Sequence, residues 1–89
     1  MSAEEELLKV GVVEHYYTKI GVAIVNVTAP IFVGDKIRIK GSTTDFEQTV
    51  TSMEIEHKQV EKAKSGDSIG FKVEKRVREK DIVYKKMST

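Results

Sequence analysis

Positions 36–40 read Lys-Ile-Arg-Ile-Lys, an unbroken alternation of basic and apolar side chains directly after Gly34-Asp35. A period of two places Ile37 and Ile39 on one side of an extended chain and Lys36, Arg38 and Lys40 on the other. A helix would throw the two isoleucines to opposite sides, so this stretch predicts a half-buried β-strand. Gly34 and Asp35 supply the turn that feeds it, since glycine tolerates positive φ and aspartate bonds nearby backbone. The design recurs downstream, where Ser65-Gly66-Asp67 precedes Ile69, Phe71 and Val73 on one parity and Lys72, Glu74 and Arg76 on the other. Lys75 falls on the apolar parity, which predicts a bulge or a strand end there.

Other segments read the same way. Met53 and Ile55 alternate with Glu54 and Glu56, while Val50 has the opposite parity and marks a bend. Residues 21–27, Gly-Val-Ala-Ile-Val-Asn-Val, are apolar almost throughout, as in a strand covered on both faces. Residues 7–13 predict a first strand and residues 81–86 a short last one. Helix signals are poor: in residues 57–66 only Val60 and Ala63 would form an apolar stripe, enough for a turn at most. The single proline, Pro30, falls at a connection between strands. About six short antiparallel strands with Gly and Asp turns predict an all-β fold, a single small closed or nearly closed β-barrel. Closure would remove exposed strand edges. The barrel is expected over residues 7–86, with an acidic, flexible lead-in at 1–6 and a tail at 87–89.

Few kinds of chemistry fit this sequence. With 89 residues the chain is long enough for one domain. Cysteine is absent, which excludes disulfides, thiolate metal sites and cysteine nucleophiles. His15 and His57 are the only histidines, and no spacing supplies either with partners for metal binding or catalysis. Asp35 and Asp67 sit in Gly-Asp turns, a structural use. No nucleophile elbow and no phosphate-binding Gly-x-x-x-x-Gly-Lys-Ser/Thr loop occurs. The expectation is a non-catalytic protein with no cofactor, no metal and no bound nucleotide. The acidic start has no long apolar run, which predicts a cytoplasmic protein with no membrane partner.

Charge suggests where a partner would bind. The net charge of +1 argues against general nucleic-acid binding, yet residues 71–89 carry seven basic and three acidic side chains. Lys72, Arg76, Arg78, Lys85 and Lys86 are candidates for one phosphate-contacting patch. Tyr16 and Tyr17 beside Lys19 form a second candidate, since rings can stack on bases while a lysine meets phosphate. The alternative readings are a solvated strand face for the bases and core packing for one ring.

The order of elements resembles the second domain of translational GTPases, the β-barrel of elongation factor Tu and its relatives. The residues that carry the resemblance are Gly34, Asp35 and Ile37, then Val50, Ser52 and Met53, then Val60, Ala63, Gly66, Asp67, Ile69 and Gly70. Arg78, Asp81 and Ile82 match the closing segment, although Val83-Tyr84-Lys85-Lys86 departs from its usual end. The likeness runs from about Leu7 to Lys85. The chain is also similar to the free-standing elongation factor-like barrels of prokaryotes and to the C-terminal barrel of collagenase-like peptidases. The first resemblance implies an interaction module contacting RNA or a ribosome-associated factor. The last implies an accessory, protein-binding barrel that positions a peptidase.

Overall fold

A computed structural model describes residues 6–87. Of the expected lead-in at 1–6 and tail at 87–89, residues 1–5 and 88–89 lie outside the described residues, while Glu6 and Met87 belong to strands. Ten strands follow one another: β1 (Glu6–Tyr17), β2 (Val22–Val27), β3 (Ile31–Phe32), β4 (Lys36–Lys40), β5 (Asp45–Thr49), β6 (Met53–Ile55), β7 (Lys58–Val60), β8 (Lys62–Ala63), β9 (Ser68–Lys72) and β10 (Ile82–Met87). No described residue is helical, so the all-β reading holds. Eight strands form one antiparallel sheet in the order β5-β4-β10-β1-β2-β9-β6-β7, and β3 pairs with β8 in a separate ribbon.

The sheet is open. It ends on β5 and β7, which do not pair with each other, so the single closed or nearly closed barrel of about six strands is corrected to an eight-stranded open sheet plus a two-stranded ribbon. The physical reason lies in the short segments. Residues 58–60 are too few to make a long closing strand, and residues 31–32 and 62–63 pair with each other instead of joining the sheet. The stretch 57–66, which offered at most a helical turn, thus contributes β7 and β8. The open edge is tied by a side chain: Gln48 on β5 donates from Nε2 to the Lys72 carbonyl (2.9 Å) and accepts from the Glu74 N–H (2.8 Å).

The alternation is realised residue by residue. Ile37, Ile39, Met53, Ile69 and Phe71 are buried as expected, together with Val25, Val83 and Phe46. Lys36, Lys40, Glu54 and Glu56 are exposed. Ile55 and Val73 are only half-buried, because β6 and β9 end at or just before them. Two register shifts let β1 pair with β10 along its first part and with β2 along its second. One falls between Lys9 and Gly11 against β10, the other between Val13 and His15 against β2. A bulge turns the strand and changes which parity faces inward. Gly11 allows the close approach at the first, since a Cβ there would lie 2.5 Å from Val25 Cγ1.

Three turns share one construction. Phe32–Asp35, Lys64–Asp67 and Arg78–Asp81 are each closed by the aspartate N–H donating to the carbonyl of the first residue, at 3.0, 3.0 and 3.1 Å. In each, the aspartate carboxylate accepts the first residue's N–H in return, at 2.8, 2.9 and 2.8 Å. The third position has positive φ in all three: Gly34 (100°), Gly66 (98°) and Lys80 (77°). That is the pattern of a type II turn, and each turn leads into a sheet strand (β4, β9 and β10). The Gly-Asp pairs seen in the sequence are two copies of this unit, and Lys80-Asp81 is a third.

Candidate docking groove

β2 is apolar on both parities. Ala23, Val25 and Val27 enter the core, whereas Val22 and Ile24 face the other way and stay half-buried. Among the described residues no strand covers that outer face. Register builds two rows across it: Tyr17–Val22–Lys72, and His15–Ile24–Gly70–Glu54. Gly70 carries no side chain in the second row, and Ile24 packs over it: a Cβ there would come within 3.3 Å of Ile24 Cδ1 and 3.6 Å of Val22 Cγ1. Ile20, in the β1–β2 turn, is 59% exposed, and Tyr17 is 48% exposed. Together these side chains line a groove of about 610 Å³. A groove of this size is within the range that recognises ligands or peptide segments.

Charges frame the apolar floor. Lys72 stands at one end; Glu54, Glu56 and His57 line the other. The last two form the β6–β7 turn, with Ile55 paired to Lys58 across it. Both turn residues hold positive φ, Glu56 at 51° and His57 at 68°. A two-residue hairpin of this kind ordinarily carries Asn-Gly, so Glu-His there is strained.

The eight candidate RNA-contact residues do not form one patch. Tyr17 and Lys72 share the groove, while Lys19 is exposed in the adjoining turn. Tyr16 turns inward and packs against the core. Arg76 and Arg78 are exposed in the loop between β9 and β10. Lys85 and Lys86, being consecutive in a strand, point to opposite sides of the sheet. Lys85 Nζ lies 3.1 Å from Asp35 Oδ2 and 5.1 Å from the Phe32 ring centroid. Lys86 Nζ lies 3.0 Å from Glu47 Oε1. On that outer side Glu47 also receives Arg38, which forms two hydrogen bonds to Asp45 at 2.8 and 3.1 Å. The Arg38 hydrogen bond holds the Asp45 carboxyl below the usual carboxylate range against opposition from desolvation, with further Coulombic help from Arg38 and Lys40.

No group of three or more His, Asp or Glu side chains placed to hold a metal ion occurs among the described residues. His15 Nδ1 lies 3.3 Å from Glu79 Oε2, and its ring meets Tyr17 edge-on at 4.5 Å. A second apolar shelf, formed by Phe32, Val33 and Val60, lies beside the β3–β8 ribbon and has fewer lining residues. Sequence reasoning does not pick out the groove residues Ile20, Val22, Ile24 and Gly70. Their signal is the two-sided apolar character of residues 21–27, which reads as a strand covered on both faces.

No family model matches the chain. It is 42% identical over 78 residues, 86% of its length, to an uncharacterized protease of Methanocaldococcus jannaschii. It spans 19% of that protein's length. Its fold is similar to the crystal structure of the C-terminal domain of a Geobacillus thermoleovorans protein assigned as a U32 peptidase, with a TM-score of 0.83, 21% identity, and coverage of 88% of this chain and 91% of that one. The selenomethionine variant of that domain gives a TM-score of 0.81 at 20% identity, covering 84% and 95%. At those identities the likeness is one of fold. These relatives overturn the assignment to translation elongation factor-like barrels and, with it, the reading as a translation-factor interaction module. The misleading residues are Gly34-Asp35 and Gly66-Asp67, whose roles are those of turns that many small β-folds can use. The chain's similarities are to a protease and, in fold, to the C-terminal domain of a U32 peptidase.

Proposed function

We propose that this chain is a non-catalytic accessory domain that docks on a U32-type peptidase region, of the same polypeptide or of a separate one. The observation that carries the reading is the outer face of β2, where Val22 and Ile24 lie uncovered beside exposed Ile20 and Tyr17. Contiguous exposed apolar surface of this sort marks interaction sites in soluble proteins. The 42% identical protease supports the choice of partner, because its matching segment is 19% of a much longer chain. A positioning role asks for a docking face rather than a nucleophile and base, and the groove is such a face.

The test is co-elution. The chain and the U32-type peptidase region of its source cell are passed together over a sizing column. The wild type is expected to move with the peptidase and Ile24→Lys to elute alone while keeping its thermal transition. Equal co-elution of the two would remove the groove from the interface.

A further inference from the structure

We infer that the groove is covered by one amphipathic helix of the docked partner, its N-terminus at the Glu56–His57 turn and its C-terminus at Lys72. This deepens the docking reading and rests on it. The floor decides the kind of occupant. β2 is paired with β1 along one side and with β9 along the other, and β9 is paired in turn with β6, so the strands of the floor present no open edge. A segment lying on that face finds no backbone partner in it. An extended segment would press its own N–H and C=O groups unpaired against Val22 and Ile24, which is unfavourable. A helix closes its backbone bonds internally. A second sheet would do so too, but it needs an apolar face several strands wide. Here the outward apolar side chains run along β2 alone, with Tyr17 and Ile20 at one end, while β9 contributes Lys72, Gly70 and Ser68. A single apolar stripe matches the stripe of an amphipathic helix.

Charge orients the helix. Lys72 stands at one end of the groove, and Lys19 is exposed in the turn beside it. Glu54 is the cross-strand neighbour of Gly70, and Glu56 follows two residues on, in the direction of Ser68. A helix carries partial positive charge at its N-terminus and partial negative charge at its C-terminus. The Glu54 and Glu56 carboxylates favour the first, and the Lys72 and Lys19 amines the second. Lys72 and Ser68 are four residues apart on β9, about 14 Å along the strand. That length is spanned by about nine residues of helix, against about four of an extended chain.

The difference in residues per length makes the test. The photoreactive residue benzoylphenylalanine replaces Tyr17, Ile20, Glu56 or Lys72, one at a time; all four are exposed, so the fold is kept. Each variant is mixed with the U32-type peptidase region of its source cell and irradiated, and the joined peptides are mapped by mass spectrometry. The captured residues are expected in one continuous segment of the partner, three or four positions apart. Those joined from Glu56 should precede those joined from Lys72 by about nine positions. A separation of about four, as in an extended segment, would overturn the inference. So would the reverse order, or capture scattered over segments distant in sequence. If the chain co-elutes with the peptidase and no groove position captures it, the helix falls and docking stands through another face. If the two do not co-elute, both readings fall.

Discussion

Single residues decide how the turns close, and they do so through two separable effects. Gly66 has a φ of 98° and nothing within 4 Å of where a Cβ would stand, so Gly66→Ala meets only backbone strain. Its expected cost is about 1 kcal/mol. Gly41 has ordinary φ, but a Cβ there would run into the carboxylate of buried Asp81. That carboxylate also accepts the Arg78 N–H, so moving it breaks the third turn. Gly41→Ala is therefore expected to cost more than Gly66→Ala, and urea unfolding of the two variants checks the order. Lys80, the one non-glycine at the third position of these turns, gives the opposite case. Lys80→Gly should stabilise by roughly 0.5 kcal/mol, as relief of left-handed strain exceeds the added freedom of the unfolded chain.

At the scale of elements, the open edge depends on Gln48. Its amide both donates to and accepts from the segment that ends β9. Gln48→Glu keeps the acceptor for the Glu74 N–H but, when ionised, faces the Lys72 carbonyl with no proton to donate. Burial raises the pKa of such a carboxyl, so its protonated form regains the donor. The variant should be less stable than wild type by about 1–3 kcal/mol at neutral pH, and the gap should narrow as pH falls through the raised pKa. Thermal melts across pH give the result. The sign is opposite at Asp45, whose pKa is lowered. The stabilisation from its pairing with Arg38 is present above the ordinary carboxylate pKa and fades as pH falls through the lowered one. Arg38→Gln should return the Asp45 titration, followed by carboxyl chemical shift, toward the ordinary range.

Strands with strict alternation are legible in the sequence. β4, β6 and β9 follow directly from Ile37/Ile39, Met53/Ile55 and Ile69/Phe71. β5 does not, because its inward positions are Phe46 and Gln48, and a buried glutamine breaks the apolar pattern while serving as the tie across the edge. β3 and β8 are two residues each, too short for any period to show. The bulges in β1 put both Val10 and Val13 in the core at an odd spacing, which period-two counting cannot reproduce. The groove is half legible. The apolar run marks β2 as two-sided, but nothing local to it says that one of those faces is left uncovered.

For the molecule as a whole, one core cluster joins the main sheet and the ribbon, with Ile31 and Ala63 of the ribbon buried beside Ile37, Met53 and Phe71. Phe71→Ala opens that cluster and should cost about 3–5 kcal/mol, a large share of the roughly 5–15 kcal/mol typical of a domain. Against this inward packing, the outer face of β2 leaves apolar side chains uncovered, and a peptidase region is the partner proposed to cover it. Lys19 and Lys72 are exposed next to the groove and carry amines for cross-linking. The most direct measurement is to express the tagged protein in its source cells, cross-link with an amine-reactive reagent, and identify the joined peptides by mass spectrometry. Docking through the groove predicts links from Lys19 and Lys72 to a U32-type peptidase region. Links from those two lysines to ribosomal proteins, or none to a peptidase with the peptidase present, would contradict it.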